Sequence, residues 1–348
     1  MPDHHTEPRL TSLAHGGGCG CKLAPNVLAD ILSEMPLSLG HSDLIVDAGK
    51  SDDAAVYLIN ETTTLVATTD FFTPIVDDPH TFGRIAATNA LSDIFAMGAK
   101  PIFCLAIVGM PIGKIANETI RAILAGGRSV AEAACAPIAG GHSIDSAEPI
   151  YGLVALGIGH PDKLLLNSNA QAGDVLILGK PLGIGIYSAA LKQELLSPSE
   201  YDEMVASTTR LNTPGTELSE ISDVHAATDV TGFGLLGHAS EMARGAGLQI
   251  VIEKNKVPVF EGARRHAQSG IKTGASGRNW DSVSHMVTGQ MSAMETDLLC
   301  DPQTSGGLLV SCSPEAAHSV LVTFRRHGHA DAAIIGRVES GAASVRVE

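Results

Sequence analysis

Between residues 46 and 160, short runs of β-branched and apolar residues alternate with longer stretches of helical character. That alternation restricts the fold more than any other feature of the chain. Residues 54–59, 63–68, 102–108 and 150–158 read as strands, and 82–97 and 117–134 as helices, the first ended near Gly98. Residues 138–139 lead into Gly140-Gly141-His142, which reads as a loop. The second half repeats the theme. Strands are expected at 175–178, 248–252, 307–312 and 332–338, helices at 187–194, 199–210, 235–245 and 315–327, and a Gly/Ser-rich loop at 270–278. An α/β or α+β fold follows, with helices covering sheets.

The chain has 348 residues. At roughly 100–200 residues per domain, two domains are expected: residues 46–160 and 170–348, joined by the polar stretch at 160–173. Residues 1–45 read as a flexible arm, with a polar start, a glycine-rich loop and one helix over 25–35, where Pro25 suits the first turn. Aromatic residues are only 4%, so the cores rest on Ala, Val, Ile and Leu.

A formal net charge of −15 excludes a nucleic-acid footprint, which needs a basic face. It does not exclude anionic substrates, because metal ions reverse the local sign where carboxylates gather. The apolar stretch 102–112 is too short for a bilayer, which needs about 20 residues. The N-terminus lacks the apolar core of a signal peptide. A soluble cytoplasmic protein with no membrane partner is expected. The six cysteines are scattered, apart from Cys19-Gly20-Cys21, and do not form a secreted disulfide framework. Cys104 and Cys135 read as core residues.

The aspartates carry the chemistry. Asp52-Asp53 precede a strand, Asp70 and Asp229 end strand-like passages, and Asp93 lies in the apolar helix segment Ala-Leu-Ser-Asp-Ile-Phe-Ala-Met. Thr69-Asp70 and Thr228-Asp229 each open a motif-rich stretch followed by a helix of small residues, a weak internal echo. Any one Asp also suits a cap or turn. Several from separate segments suit Mg²⁺, which binds one or two carboxylates plus substrate phosphates, and so suit phosphoryl transfer. Asn89 lies one turn before Asp93 on the same helix face.

His15-Gly16-Gly17-Gly18-Cys19-Gly20-Cys21-Lys22 places a thiol and an amine on a mobile loop. Such a loop can carry a soft nucleophile into a site, with Lys22 lowering the thiol pKa or contacting phosphate. A zinc half-site from His15 and the two Cys is the alternative, though C-x-C lacks the usual ligand spacing. Gly140-Gly141-His142-Ser143 and Gly179 through Gly185 read as anion cradles. Gly232-Phe233-Gly234-Leu235-Leu236-Gly237, with Glu253 downstream, matches a dinucleotide fingerprint and keeps an NAD-dependent oxidoreductase open. A selenium- or metal-holding protein without ATP turnover is a third reading.

The long motifs then add a resemblance. His15 to Lys22, Asp52-Asp53-Ala-Ala-Val-Tyr, Thr68-Thr69-Asp70-Phe-Phe-Thr-Pro, Ala86-Ala-Thr-Asn-Ala-Leu-Ser-Asp93, Gly140-Gly-His-Ser-Ile-Asp145, Thr228-Asp229-Val-Thr-Gly-Phe-Gly and Leu299-Cys-Asp-Pro-Gln-Thr-Ser-Gly-Gly307 are similar, in order, to those of the selenophosphate synthetase family. The resemblance runs from about residue 10 to the C-terminus. It implies the two-domain aminoimidazole-ribonucleotide synthetase-like fold and a homodimer paired through the N-terminal domains. It implies conversion of ATP, hydrogen selenide and water to selenophosphate, AMP and orthophosphate, supplying selenium for selenoproteins and selenouridine in tRNA. A selenium-delivery protein is a further implied partner. By the same resemblance Cys19 and Lys22 are catalytic, and Asp53, Asp70, Asp93 and Asp229 hold Mg²⁺. Lys22, Lys50, Ser51, Asp52, Asp70, Asp93, Gly141, His142 and Ser143 contact the nucleotide. The Gly232 motif becomes part of the metal and phosphate region. Position 19 is Cys where relatives often carry selenocysteine, and Lys50-Ser51 departs from the family's usual form. Cys21 is expected to be dispensable.

Overall fold

The computed structural model describes residues 7–14, 16–22, 27, 31, 41–47 and 52–348. His15, Lys50, Ser51 and most of the helix expected over 25–35 lie outside the described residues.

The first sheet has six strands in the order β1-β2-β3-β6-β4-β5. They are β1 (Leu44–Val46), β2 (Ala55–Asn60), β3 (Thr63–Phe72), β4 (Lys100–Met110), β5 (Ile138–Asp145) and β6 (Ile150–Gly159). Neighbours are antiparallel, except that β4 and β5 are parallel. Helices α1 (Pro79–Ala96) and α2 (Asn117–Ala133) pack on each other, and α1 covers β3 and β6. In β3 the residues Thr64, Val66, Asp70 and Phe72 are buried while Leu65, Ala67, Thr69 and Phe71 face outward. That is the period of two that a strand imposes.

Helix α1 starts where Asp78 accepts the Thr81 N–H at 2.8 Å, with Pro79 in the first turn. It is buried on nearly every side. One face lies on the first sheet; the other meets the second half of the chain at Pro198–Thr208, Pro214–Leu218 and Val224–Asp229. Small residues such as Ala86, Ala87 and Ala90 permit this double packing.

The second sheet has seven strands in the order β10-β13-β9-β12-β7-β11-β8. Along the chain this half runs β7 (Val175–Leu178), α3 (Ile184–Lys192), α4 (Pro198–Thr208), α5 (Pro214–Leu218), β8 (Val224–Asp229), α6 (Gly234–Ala246) and β9 (Gln249–Ile252). It continues with α7 (Glu261–Gln268), α8 (Gly274–Val283), β10 (Val287–Thr288), α9 (Ala293–Leu299), β11 (Leu308–Cys312), α10 (Ala317–Arg326), β12 (Ala333–Glu339) and β13 (Ser344–Val347). Among the described residues no helix is long and apolar enough to cross a membrane.

Four expectations change. The strand through Asp70 does not end there but runs on to Phe72, with the buried Asp70 carboxylate accommodated by Asn89 on α1 and by Lys22. Residues 140–142 are not a loop. They belong to β5, an exposed edge strand whose backbone bonds come from parallel pairing with β4, so it needs no apolar pattern. The Gly/Ser stretch at 270–278 is half helix: Thr273 caps α8, which buries Ala275, Ser276 and Asn279. Cys135 is exposed, at φ +55° just past the end of α2, so it is a turn residue, whereas Cys104 is buried as expected.

Candidate active site

The loop Gly16–Lys22 inserts between the two halves. Cys19 lies in a 3-10 turn, Gly18–Cys21, and is only 1% exposed. Its thiol donates to Asn89 Oδ1 at 3.2 Å, and its backbone N–H to Thr304 Oγ1 at 3.1 Å. Two more bonds fasten the loop to the strand end: the Gly18 N–H to the Thr73 carbonyl, and the Thr73 hydroxyl to the Gly16 carbonyl. Lys22 Nζ sits 3.0 Å from Asp70 Oδ2. Asn89 donates its amide to the same oxygen at 2.5 Å, and its Oδ1 also accepts the Ser305 N–H at 2.7 Å. One side chain on α1 therefore ties together the thiol, the aspartate that holds the lysine, and the segment after α9.

The other carboxylates gather around this hub. Asp93 Oδ2 accepts from Thr68 at 2.5 Å, Asp53 Oδ1 from Thr228 at 2.8 Å, and Asp229 from Ser92. Ser92 in turn accepts from Asn212. Burial first, then neighbouring carboxylates, pushes the carboxyls of Asp53 and Asp93 up from the usual carboxylate range; burial also raises Asp229, against the Ser92 hydrogen bond and the charges of His238 and Lys22. Burial opposes charge on Lys22 too, but Asp70, Cys19 and Asp93 outweigh it and hold the ammonium protonated. Lys22 lowers the pKa of the Cys19 thiol, the direction expected of it, but burial dominates and the thiol is driven well up.

Asp53 Oδ2 and Asp229 Oδ2 are buried without any hydrogen-bond partner. Hard oxygens left bare in this way, on carboxyls that repel one another, suit a divalent cation that would join them. Among the described residues no three His, Cys, Asp or Glu side chains stand ready as a closed metal cage. Mg²⁺ does not need one, since it usually keeps waters and takes substrate phosphates.

The remaining sequence candidates separate. Asp52 Oδ1 accepts the Asn167 N–H at 2.8 Å, so one of its oxygens ties β2's approach to the segment between the sheets. Gly141 is in register with Ala106, which pairs with Leu153, which pairs with Asp70. Three strand spacings, about 14 Å in all, therefore separate it from Asp70. Gly141, His142 and Ser143 instead line a groove of about 510 Å³ beside Leu124, Arg128 and Tyr151.

The cradle expected at 179–185 is filled by the protein itself. Gly183 and Ile184 donate to Gln303 Oε1, and Gly185 and Ile186 to Asp301 Oδ2. The start of α3 is thus capped from within, and Lys180, fully buried, donates to the carbonyls of Arg210 and Ser305. Asp301 Oδ1 has no partner, and burial raises its pKa to about 8. A raised carboxyl favours folding while it stays protonated, so its contribution is full below about pH 4 and is lost as pH rises through about 8. We expect the melting temperature of the wild type to fall relative to Asp301→Asn between pH 6 and 9. Asn can keep the same acceptor and places an amide where the bare oxygen stands. Parallel thermal melts across that range would overturn the assignment.

The glycines of the Gly232 motif make room for protein. A Cβ on Gly232 would lie 2.9 Å from the Cys19 carbonyl and 3.2 Å from Lys22 Cδ; one on Gly234 (φ +70°) would meet the Cys300 backbone at 2.7 Å. The motif seats the Cys19 loop and α9, and no space for a pyrophosphate is implied. Sequence reasoning assigned no role to Thr68, Thr228, Ser92, Thr304 or Ser305. The first two adjoin the aspartate motifs, and the last two lie in the quoted Pro-Gln-Thr-Ser-Gly-Gly run, so the signal was present without a chemistry attached.

Comparison with known proteins decides the family. Residues 51–159 match the N-terminal domain, and 171–348 the C-terminal domain, of AIR synthase related protein. The selenide, water dikinase of Pseudomonas straminea is 58% identical over 98% of this chain and 96% of its own; that of Burkholderia pseudomallei is 56% identical over 98% and 97%. The chain belongs to the selenide, water dikinase family. Solved structures share the fold at lower identity. A HypE–HypF complex aligns with TM-score 0.69 at 20% identity, covering 93% of this chain and 94% of that one. Thiamine-monophosphate kinase from Stenotrophomonas maltophilia aligns with TM-score 0.65 at 20% identity, covering 94% and 97%. In this selenide, water dikinase family member, then, the hub at Asn89 sits where thiol, lysine and carboxylates meet.

Proposed function

We propose that the protein transfers the γ-phosphoryl group of ATP to hydrogen selenide and hydrolyses the remaining diphosphate, giving selenophosphate, AMP and orthophosphate. The observation that carries this reading is the placement of the Cys19 thiol and the Lys22 ammonium on the Asn89–Asp70 pair, next to two carboxylate oxygens that lack partners. In the first step the Se–P bond forms as the bond from γ-phosphorus to the bridging oxygen breaks; in the second, water takes the β-phosphoryl group from ADP. Selenide is already a strong nucleophile, so the protein has to bring two anions together and offset their charge.

Lys22 serves as a point charge on the transferring phosphoryl group. Asn89 fixes the thiol and Asp70 in one frame, and the docked loop excludes competing water. Asp53, Asp70, Asp93 and Asp229 are the residues that would hold Mg²⁺, which supplies charge neutralisation along the phosphates. Gly141, His142 and Ser143, across the sheet, offer contacts to a distant part of a nucleotide or to one bound by a partner subunit. Lys50, Ser51 and Asp52 are assigned to the nucleotide on motif alone.

A homodimer fits the outer face of the first sheet. Tyr57, Ile59, Phe71 and Leu105 are exposed there, flanked by half-buried Leu65, Phe103, Val154 and Leu156. An apolar sheet face of this extent calls for a cover. The cytoplasm, with ATP and a reducing milieu, suits six free cysteines, and a carrier protein would deliver the selenium. Anaerobic ³¹P NMR with ATP, Mg²⁺ and selenide tests the reaction. A selenophosphate resonance with AMP and orthophosphate is expected; folded protein that binds ATP yet forms no Se–P bond would sink the proposal.

A further inference from the structure

A cavity of about 290 Å³ lies behind the Cys19 loop. Gly16, Gly17 and Gly20 form its side toward the loop, and Thr304, which holds the Cys19 N–H, lines it as well. Lys192 at the end of α3 and Arg278 on α8 stand at its rim. No acidic side chain lines it, although the chain carries a formal net charge of −15. Neither cation has a carboxylate partner among the described residues. Lys192 Nζ reaches the Ala14 carbonyl at 3.5 Å, and Arg278 Nη1 the Gly274 carbonyl at 3.2 Å. Lys254, Lys272, Arg265 and Arg337, by contrast, are all paired with acids.

We propose that this cavity is the entry chamber for the hydrogen selenide anion, an inference that rests on the selenide, water dikinase reading. The acidic side of the site repels any anion until cations neutralise it. A separate chamber with two unpaired positive charges and no carboxylate concentrates a small anion on the other side of the loop. The loop that bears Cys19 faces the chamber with Gly16, Gly17 and Gly20, beside the side chains of Ile75, Pro302 and Thr304, so a displacement of that loop that releases the Cys19 N–H from Thr304 opens the way.

The test compares the double variant Lys192→Ala/Arg278→Ala with the charge-conserving Lys192→Arg/Arg278→Lys. Selenophosphate formation is followed anaerobically over a selenide titration at low and high salt. The alanine variant should raise the KM for selenide about tenfold at low salt, with kcat and the KM for ATP within about twofold of wild type. The charge-conserving variant should restore it. Added salt should move the wild-type KM toward that of the alanine variant, whose own KM stays put. An unchanged selenide KM overturns the proposal. So does a lower kcat with unchanged kcat/KM for selenide, which makes the cavity a product exit, or a raised KM for ATP, which makes it a brace for the loop. Wild-type protein that forms no selenophosphate removes the family activity itself, and the chamber with it.

Discussion

Asp70→Asn should reduce selenophosphate formation by about 10²–10³-fold or more while leaving the protein folded. The substitution keeps the shape of the side chain. Asn89 and Lys22 can still donate to the new amide oxygen, so the hub does not collapse for lack of a partner. What disappears is the largest of the charges that together outweigh burial at Lys22 and keep its ammonium fixed over the site. The same charge is one of those that push up Asp93 and Asp229, and its removal relieves that repulsion. Loss of the ion pair and relief of the repulsion act in opposite directions on stability, so the melting temperature should move little. Activity measured by ³¹P NMR and stability measured by thermal melts then separate the two roles. A rate close to wild type would remove Asp70 from the site, and a collapse in stability would make it a structural residue.

Much of this architecture was legible because its helices and strands obey strong periods. The strand at 175–178 and the helix over 117–133 fall almost where patterning puts them, since the strand is a short apolar run buried on both faces and the helix buries one regular face. Other elements were hidden for physical reasons. β5 is an edge strand with a parallel neighbour, so its residues need neither alternate nor be apolar, and Gly140-Gly141 reads as a turn. α8 carries Gly274 and Gly277 in its first turn, whose propensity opposes a helix, and the Thr273 cap with packing against α6 and α9 makes it one.

The site divides in the same way. Buried aspartates in apolar context announced themselves, and the echo of Thr-Asp at 69–70 and 228–229 became two strands whose carboxylates face one hub. The neutral supports did not announce themselves. A Thr or Asn that holds a carboxylate looks like any other polar residue until the fold brings its partner across the chain. The 179–185 run has the composition of an anion cradle, but what its backbone N–H groups hold is the buried carboxyl of Asp301, 116 residues away from Gly185.

Cys19→Ser should lower selenophosphate formation by about 10³-fold or more, with nucleotide binding kept. Serine retains nearly every contact the structure gives this position. Its hydroxyl can donate to Asn89 Oδ1, and the bond to Thr304 comes from the backbone. The loop should therefore stay docked, and Lys22 should keep Asp70. What serine cannot supply is a soft, polarisable atom able to meet selenium at the loop. Cys21 is the internal control. It is exposed and two residues away, on the same turn, but it makes no bond to Asn89. If flexibility or general thiol content were what mattered, Cys19→Ser and Cys21→Ser would behave alike. If position matters, Cys21→Ser should stay within about twofold of wild type while Cys19→Ser loses product. Full product from Cys19→Ser would mean that the buried thiol is a packing residue, and that Lys22 and the aspartates alone carry the chemistry of the loop.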